Sequence, residues 1–138
     1  MILKGKRIYL KTLKKLNKKY NSWLMDEQTV RFIEKKRIPL FPTLFGIYLK
    51  SNRYIGNIKL EGNDIGIMIG EKDCWGKGYA PEAIKLLTDH FLQSGLTHIL
   101  AGVNYKNKSA RKAFKKAGYK IWKEFYIAQH PSQPIQHT

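Results

Sequence analysis

Residues 65–83 have the sequence IGIMIGEKDCWGKGYAPEA, which joins a strand pattern to a helix pattern through a glycine-containing turn. The apolar run Ile65–Ile69 is typical of a strand, and helical spacing begins after Gly78. Gly76 precedes Gly78 with Lys77 between them. The first turn of a helix exposes unpaired N–H groups and the positive end of the helix dipole, so phosphate oxygens bind there readily. The stretch therefore predicts an anion-binding turn.

The residue types in this turn exclude some of the known classes of anion-binding loop. Glycine permits positive φ and lets the backbone approach a ligand without an intervening Cβ. Pro81 suits the first helical turn, where its missing N–H costs nothing. A Walker loop is excluded because no Gly-Lys-Ser/Thr sequence is present, and a Rossmann fingerprint is disfavoured because its third glycine is missing. A Gly-x-Gly pair by itself also fits an ordinary tight turn.

Strand patterns precede the turn and return after it. LFGIYLK (44–50) and YIGNIKL (54–60) predict two strands joined by a hairpin turn, and a further turn leads into the strand that ends at Gly70. A helical stripe then runs over Tyr79–Phe91, and THILAGV (97–103) predicts another strand. These elements predict an antiparallel meander followed by a strand–helix–strand unit.

The two ends of the chain carry the remaining predicted elements. They are a strand over Leu3–Leu13, helices over Lys14–Met25 and Glu27–Glu34, a loop at Pro39 and Pro42, a helix over Asn107–Ala117 that ends at Gly118, and a strand in YKIWKEFYIA (119–128). The resulting order predicts a mixed α/β, or α+β, sheet whose faces are covered by helices. We expect one domain over residues 1–128 and a polar tail over residues 129–138.

Composition limits the class of protein. With 138 residues, 43% of them hydrophobic, the chain can form one core, and general disorder is excluded. A single cysteine, Cys74, excludes an internal disulfide and fits a reducing compartment. No apolar run approaches the roughly 20 residues of a membrane helix and the N-terminus lacks a signal-peptide pattern, so we expect a cytoplasmic protein without membrane contact. The histidines show no metal-ligand spacing, and no metal is expected.

The formal net charge of +16 favours anionic partners such as nucleic acid, phosphorylated metabolites or acidic proteins. A composition rich in lysine, isoleucine and asparagine, as an AT-rich genome produces, explains the charge equally well. The charge therefore indicates electrostatic steering and solubility rather than one specific ligand.

Two motifs resemble the GNAT superfamily of acetyl-CoA-dependent N-acetyltransferases. IGIMIGEKDCWGKGYAPEAIKLL (65–87) is similar to the family's pyrophosphate loop, and VNYKNKSARKAFKKAGY (103–119) is similar to its Asn-x-x-Ala-x-x-x-Tyr-x-Lys-x-Gly motif. KGKRIYLKTL and YIGNIKL also resemble the family's first strand and central hairpin. The resemblance is closest to the branch of ribosomal-protein N-terminal and small-molecule acetyltransferases. It implies a mostly antiparallel, splayed sheet of about six to seven strands flanked by helices.

The resemblance implies acetyl-CoA as cosubstrate and assigns its contacts. The pantetheine arm would pair with the strand before the loop, and backbone N–H groups of the loop would bind the diphosphate. Asn107 would touch the pantetheine end, with Ala110 and Arg111 near the coenzyme. Asn104 is a further polar candidate, although an asparagine that satisfies a turn is equally consistent. The strand residues are Ile67, Met68 and Ile69, and the loop residues are Trp75, Gly76, Lys77, Gly78, Tyr79 and Ala80.

Direct acetyl transfer needs a neutral amine, whereas an alkyl ammonium has a pKa of about 10.4. A carboxylate that accepts the proton, directly or through water, would serve as general base. Asp64 opens the strand before the loop and is the first candidate, followed by Glu82 in the first helical turn and then by Glu61. A turn residue and a helix-dipole carboxylate are the alternative roles of Asp64 and Glu82. The resemblance also implies that a backbone N–H near Met68 stabilises the thioester oxyanion.

Two positions depart from the family pattern. Asp73 occupies the Gln/Arg position of the loop motif, so we expect its carboxylate to point away from the diphosphate. Phe114 replaces the tyrosine that often protonates the leaving thiolate, so another group or solvent must supply that proton. Cys74 is not expected to act as a nucleophile, because no histidine lies beside it in the sequence.

The function that the resemblance implies is N-acetylation of a primary amine in a ternary complex. The acceptor would be an amino sugar or sugar nucleotide, a protein N-terminus or another small amine, and the positive charge favours an anionic one. A homodimer is an option, because GNAT-like folds often dimerise. The alternative is a catalytically degenerate GNAT-like domain that binds nucleic acid or an acidic partner, which the missing tyrosine motivates.

Overall fold

The described part of the chain forms an eight-stranded sheet flanked by helices. The computed structural model describes residues 1–13, 19, 23, 43–123 and 125–130. The predicted helices over Lys14–Met25 and Glu27–Glu34, the loop at Pro39 and Pro42, and the tail from residue 131 lie outside these ranges, apart from residues 19 and 23. The elements are β1 (Ile2–Lys4), β2 (Ile8–Thr12), β3 (Leu44–Leu49), β4 (Tyr54–Glu61), β5 (Asp64–Ile69), α1 (Tyr79–Gln93), β6 (His98–Ala101), α2 (Lys108–Lys116), β7 (Lys120–Trp122) and β8 (Phe125–Gln129). The strand order is β1-β2-β3-β4-β5-β6-β8-β7.

The predicted single strand over Leu3–Leu13 is wrong, because the segment is a hairpin. β1 and β2 run antiparallel, and Gly5 N donates to Ile8 O at 2.9 Å to close the turn between them. A methyl group on Gly5 would lie 3.1 Å from that oxygen and 2.8 Å from Glu82 Oε2, so a side chain here would have to displace one of them. The apolar residues on both sides fit strand, and the four residues from Lys4 to Arg7 that interrupt the apolar pattern contain the turn.

The three strands predicted before the loop are confirmed. β3, β4 and β5 continue the antiparallel meander from β2, and their bounds differ from the predicted ones by one residue at most. Asn52 takes φ +72 in the turn between β3 and β4, and its N–H donates to Leu49 O at 2.8 Å. Asparagine tolerates this left-handed conformation better than most residues do.

β5 and β6 form the parallel junction of the sheet, and they separate along their length. Asp64 and Leu100 are their single registered pair in the described chain, and Leu100 N donates to Asn63 O at 2.7 Å at this point. Beyond it, the edge of β5 from Ile65 to Ile69 faces an opening between the two strands, which we call the wedge. The wedge and the antiparallel ladders on both sides confirm the predicted splayed, mostly antiparallel sheet.

The last predicted strand, residues 119–128, is wrong as a single element and is likewise a hairpin. β7 and β8 pair antiparallel around a turn in which Lys123 takes φ +55. Together with the N-terminal hairpin, this split raises the number of strands to eight, above the predicted number. Gln129 still belongs to β8, so the sheet includes the first residue of the predicted tail, and His130 N donates to Thr97 O, just before β6, at 2.8 Å.

The two helices predicted after the loop are confirmed: α1 extends two residues beyond the predicted Phe91, and α2 is one residue shorter at each end than the predicted range. α1 packs on the sheet, with Phe91 edge-on to Phe45 at 6.3 Å between ring centroids. Asn107 caps α2 by accepting from Ala110 N at 3.1 Å, and Gly118 takes φ +100 after its last turn. Within the described ranges, no helix is long and apolar enough to cross a membrane. The buried core includes Ile8, Leu10, Phe45, Ile47, Ile58, Ala83, Ile84, Leu87 and Ile99.

Candidate active site

The turn between β5 and α1 has the geometry of an anion-binding loop. A 3-10 turn over Lys72–Cys74 leads to Gly76 and Gly78, which take φ +73 and +83. Gly78 is the N-cap residue of α1, and it provides no side-chain cap. The N–H groups of Tyr79 and Ala80 therefore point out of the helix start without an N-cap side chain to accept them. A methyl group at Gly76 would meet no described atom within 4 Å, so the loop is open on that side.

The open edge of β5 directs backbone groups into the wedge. Gly70 N donates to a carbonyl oxygen of β4 at 2.8 Å, whereas Asn63 O accepts from β6. Because backbone groups alternate in direction along a strand, those of Met68 face β4, and those of Ile67 and Ile69 face the wedge. The N–H of Met68 itself therefore faces β4. The nearest N–H groups that face the wedge, where an oxyanion donor was predicted, belong to Ile67 and Ile69.

Trp75 connects the loop to the end of β5 by a hydrogen bond, and Cys74 packs into the core beside it. Trp75 Nε1 donates to Ile69 O at 2.8 Å, and the residue as a whole stays 37% exposed. Cys74 is buried, and this burial raises the pKa of its thiol. A thiol that stays protonated is a poor nucleophile, in agreement with the expectation for Cys74.

Arg7 contacts the loop from the turn between β1 and β2, and sequence reasoning missed it. Its Nη1 donates to Lys77 O at 2.8 Å, and its Nε donates to Glu82 Oε1 at 2.9 Å. Its backbone N–H donates to Glu82 Oε2, also at 2.9 Å. The guanidinium lies over the Tyr79 ring, 4.8 Å from the ring centroid. No sequence signal links positions 7 and 77, because their contact depends on the tertiary fold.

Glu82, the second candidate base, is engaged as the partner of Arg7. Burial raises the pKa of its carboxyl, but the hydrogen bonds and the charge of Arg7 outweigh burial, so the pKa lies below its ordinary value. To accept a proton, Glu82 would have to give up a hydrogen bond to Arg7. Its environment fits the alternative role of a carboxylate in the first turn of a helix.

Asp64, the first candidate base, lies at the closed end of the wedge. It is exposed, and it lies opposite Glu61 on β4 and Leu100 on β6. Side chains alternate along a strand, so Asp64 and Met68 share one face of β5, about 13 Å apart along the strand. The structure therefore brings both predicted residues to the strand that lines the wedge.

The segment after β6 carries the predicted asparagines and Arg111. Asn104 Oδ1 accepts from Lys106 N at 2.9 Å, which is the turn role that the sequence left open. Asn107 Oδ1 is used as the cap of α2 through its bond to Ala110 N. Arg111 Nε is buried, and within the described ranges it has no hydrogen-bond partner. Because an unpaired buried N–H costs free energy, this donor is suited to an acceptor from a ligand.

Phe114, where the family pattern has tyrosine, lies in an aromatic cluster of the core. Its ring centroid is 5.0 Å from that of Tyr119 and 6.4 Å from that of Tyr126. Burial raises the pKa of Tyr119, and its hydroxyl shares a 2.7 Å hydrogen bond with Thr88. Tyr119 is therefore a poor proton donor for a leaving thiolate.

Asp73, the other departure from the family pattern, is paired with Arg53. The two terminal nitrogens of Arg53, Nη1 and Nη2, each donate to the Asp73 carboxylate at 2.7 Å, and the Asp73 side chain is 60% exposed. The hydrogen bonds from Arg53 lower the pKa of this carboxyl. The negative charge of Asp73 is therefore paired with the guanidinium of Arg53. The expectation that this carboxylate points away from a bound diphosphate stays a prediction.

A polar and aromatic cluster that sequence reasoning also missed lies beside Met68. The Tyr54 hydroxyl donates to Asn57 Oδ1, and Asn57 is the register partner of Met68 on β4. The Trp23 ring lies 4.9 Å from that of Tyr54 and covers Gly70, leaving no room for a Cβ there. These side chains surround the end of β5 from the face that carries Met68.

A family model described as acetyltransferase (GNAT) domain matches residues 9–120, which is more than half of the chain. The chain belongs to the GNAT acetyltransferase family. The match confirms the resemblance in the two motifs and makes the protein an acyltransferase. No curated protein sequence matches this GNAT acetyltransferase.

Solved structures share the GNAT fold at low sequence identity. An acetyltransferase (GNAT family) from Bacillus anthracis has a TM-score of 0.76 and 17% identity, over 94% of this chain and 99% of that one. A ribosomal-protein-S5-alanine acetyltransferase from Vibrio fischeri has a TM-score of 0.68 and 12% identity, over 98% and 100% of the two chains. Aminoglycoside acetyltransferase AAC(6')-Ib, solved in complex with coenzyme A, has a TM-score of 0.67 and 12% identity, over 88% and 94%. At these identities the likeness shows the GNAT fold alone.

The GNAT fold brings the predicted site residues into two groups. The loop and strand residues lie together at the end of β5, and the asparagines and Arg111 lie beyond β6. In the part of this GNAT acetyltransferase that the structure describes, no group of three or more His, Cys, Asp or Glu side chains could hold a metal ion.

Proposed function

We propose that this GNAT acetyltransferase moves an acetyl group from acetyl-CoA to a primary amine by direct attack in a ternary complex. The observation that carries the proposal is the start of α1 without a side-chain cap, reached through left-handed Gly76 and Gly78 at the open end of the wedge. A diphosphate fits that loop because the helix N–H groups and the helix dipole attract phosphate oxygens. The neighbouring AAC(6')-Ib was solved with coenzyme A, which supports the same cosubstrate here.

The coenzyme would extend from the loop into the wedge. Its diphosphate would accept hydrogen bonds from the backbone of residues 75–80. Its pantetheine amides would pair with the outward backbone groups of Ile67 and with the N–H of Ile69, since Ile69 O already accepts from Trp75 Nε1. The buried Nε of Arg111 and the side-chain amide of Asn107 are the polar groups that we assign to the opposite side.

The base in this proposal is Asp64, with Glu82 as the second candidate. The amine loses a proton to the carboxylate as its nitrogen attacks the thioester carbon. Because Asp64 lies about 10 Å along β5 from Ile67, the proton would pass through bridging water rather than directly. Asp64 is exposed at the closed end of the wedge, whereas Glu82 already binds Arg7 through both carboxylate oxygens. The exposed carboxylate needs no rearrangement to accept a proton.

The thioester oxygen gains negative charge during the attack and needs a donor. We assign this task to an outward N–H next to Met68, on Ile67 or Ile69. When the C–S bond breaks, the thiolate takes a proton from solvent or from another group, since Phe114 carries no hydroxyl.

The acceptor in this proposal is a primary amine, preferably one with negative charge. The neighbours differ in their named acceptors: one structure holds AAC(6')-Ib with coenzyme A and kanamycin, and another is a ribosomal-protein-S5-alanine acetyltransferase. The net charge of +16 favours an anionic acceptor, such as an amino sugar on a nucleotide, over a polyamine.

A cytoplasmic location and a homodimer remain predictions.

Charge distribution favours one second candidate function, the non-catalytic binding of nucleic acid or an acidic protein. The sequence has no acidic residue between Asp89 and Glu124. The cations of α2 in this stretch are Lys108, Arg111, Lys112, Lys115 and Lys116. Such a surface attracts polyanions without requiring a reaction.

The test is acetyl-CoA binding followed by an amine screen. Calorimetric titration should give a Kd for acetyl-CoA in the micromolar range, and free thiol should appear with at least one amine class. Analogues in which hydroxyl replaces the amine are the matched controls and should release no thiol. No heat with acetyl-CoA, together with RNA binding at physiological salt, would replace the proposal by the second candidate.

A further inference from the structure

A side-chain bridge joins the N-terminal hairpin to the coenzyme loop. Arg7 in the turn between β1 and β2 binds Lys77 O, and Glu82 in α1 binds both the Nε and the backbone N–H of Arg7. We call these two side chains the Arg7–Glu82 clasp. The clasp is closely packed: a methyl group on Gly5 would lie 2.8 Å from Glu82 Oε2, and one on Gly78 would lie 3.1 Å from Arg7 Nη2.

The bond to Lys77 O sets the direction of the next N–H group. The described chain contains no cis peptide bond, so the bond between Lys77 and Gly78 is trans. In a trans peptide the C=O and the N–H point in opposite directions. With the Lys77 carbonyl held towards Arg7, the Gly78 N–H points to the opposite side of the loop.

Arg7 contacts the loop and the start of α1 through several groups. Its Nη1 and Nε are bonded to Lys77 O and Glu82 Oε1, and its guanidinium lies over the Tyr79 ring. The Glu82 carboxylate balances its positive charge at 2.9 Å. The contacts of Arg7 thus span the last loop residues and the first turn of α1.

We propose that Arg7 and Glu82 are positioning residues that hold the Gly78 N–H and the start of α1 in the orientation that binds the coenzyme diphosphate. The inference deepens the proposed function and rests on it. A loop with glycines at 76 and 78 has more conformational freedom to lose on binding than one with side chains. Ordering the loop in advance lowers that cost and so tightens coenzyme binding. In this role Glu82 needs no contact with the amine.

The test measures coenzyme affinity and loop order separately. Wild type, Arg7→Met, Arg7→Lys and Lys85→Met would be titrated with CoA; Lys85→Met is the matched control, since it removes a cation that pairs with Asp89 elsewhere on α1. We expect the Kd to rise about tenfold in Arg7→Met and less in Arg7→Lys, and to stay within about twofold in Lys85→Met. In the unliganded proteins, the amide order parameters of Gly76 and Gly78 should fall from about 0.85 to below about 0.6 in Arg7→Met.

The outcomes separate this inference from the proposed function. If wild type does not bind CoA, the proposed function fails and the positioning role fails with it. If wild type binds CoA and Arg7→Met binds it equally well, the positioning role is overturned and the proposed function survives. The positioning role is also overturned, and the proposed function survives, if Arg7→Met binds CoA weakly while its loop amides stay as ordered as in wild type. Should circular dichroism show that Arg7→Met is unfolded, Arg7→Lys decides by the same two measurements.

Discussion

Asp64 on β5 and Leu100 on β6 form the single registered pair of their junction in the described chain, and the two strands separate beyond it. This pair closes one end of the wedge, and the loop with Gly76 and Gly78 lies at the other end. A coenzyme held by its diphosphate at the open end would extend its thioester towards the closed end. In the proposed complex, Asp64 would therefore lie beyond the thioester, at the closed end of the wedge.

Replacing Asp64 by asparagine tests the first candidate base. Asparagine has nearly the same size but takes up no proton at neutral pH, so we expect kcat to fall about 100-fold while the Kd for CoA stays unchanged. A neutral amine needs no base, so the loss should shrink as the pH approaches about 10. Steady-state rates across this pH range are the measurement. Asp89→Asn, an exposed carboxylate of α1, is the control, and an unchanged rate in Asp64→Asn would move the role elsewhere.

Replacing Gly76 by alanine tests the coenzyme loop. The residue takes φ +73 and an added methyl group would meet no described atom within 4 Å, so the loss of stability should be limited to left-handed strain of about 1–2 kcal/mol. The same methyl group would obstruct a diphosphate on the loop, and we expect the Kd for CoA to rise at least about tenfold.

Gly118→Ala is the matched variant for this experiment. Gly118 also has positive φ, +100, and open space for a methyl group, but it lies after the C-terminal end of α2. Urea unfolding should show a loss of stability in both variants, and calorimetry should show weakened CoA binding in the Gly76 variant alone. Equal loss of affinity in both would argue against the loop as the diphosphate site.

The Thr88 and Tyr119 hydroxyls form a buried hydrogen bond of 2.7 Å that links α1 to the segment after α2. Thr88→Val leaves the Tyr119 hydroxyl buried without this partner, so we expect a loss of about 1–3 kcal/mol in the free energy of unfolding. Adding Tyr119→Phe removes the orphaned hydroxyl and should recover part of that loss. A double-mutant cycle by chemical unfolding measures the coupling, and additive single effects would contradict it.

The pH dependence of stability tests the Arg7–Glu82 clasp. The folded-state pKa of Glu82 lies below its ordinary value, so its contribution is present above about pH 4.3 and is lost as the pH falls through the folded pKa. Glu82→Gln should reduce the free energy of unfolding by about 1 kcal/mol near neutral pH, with a gap that closes below about pH 4. Urea unfolding of both proteins at several pH values is the measurement. A gap that does not change with pH would show that the charge of Glu82 contributes nothing.

Ligand-induced stabilisation distinguishes the enzyme from a polyanion-binding protein. A ligand at about 100 times its Kd adds about 2.7 kcal/mol to the stability of the protein it binds. We expect acetyl-CoA to raise the Tm at physiological salt and RNA to leave it unchanged. Binding of RNA with a steep salt dependence, and no effect of acetyl-CoA, would favour the alternative.

Sequence reasoning succeeded where an element depends on neighbours within a few positions. The glycine turn before α1, the strands β3 to β5 and the glycine after α2 all follow from such short-range patterns. It failed at the two hairpins because the interruptions of the apolar pattern, at residues 4–7 and 123–124, are short and are compatible with one continuous strand. Gly5 and Lys123 mark those turns. Glycine is a turn signal, whereas the residue type at position 123 gives none.

The family, the glycine turn and the candidate carboxylates could be predicted from residue types at fixed short spacings. Only the three-dimensional fold shows that Arg7 engages Glu82, that Arg7 reaches the loop, and which backbone groups face the wedge. Contacts from Arg7 to Lys77 and Glu82 join residues 70 and 75 positions apart. Such contacts form only when the sheet brings the N-terminal hairpin beside α1, and no local pattern encodes that arrangement.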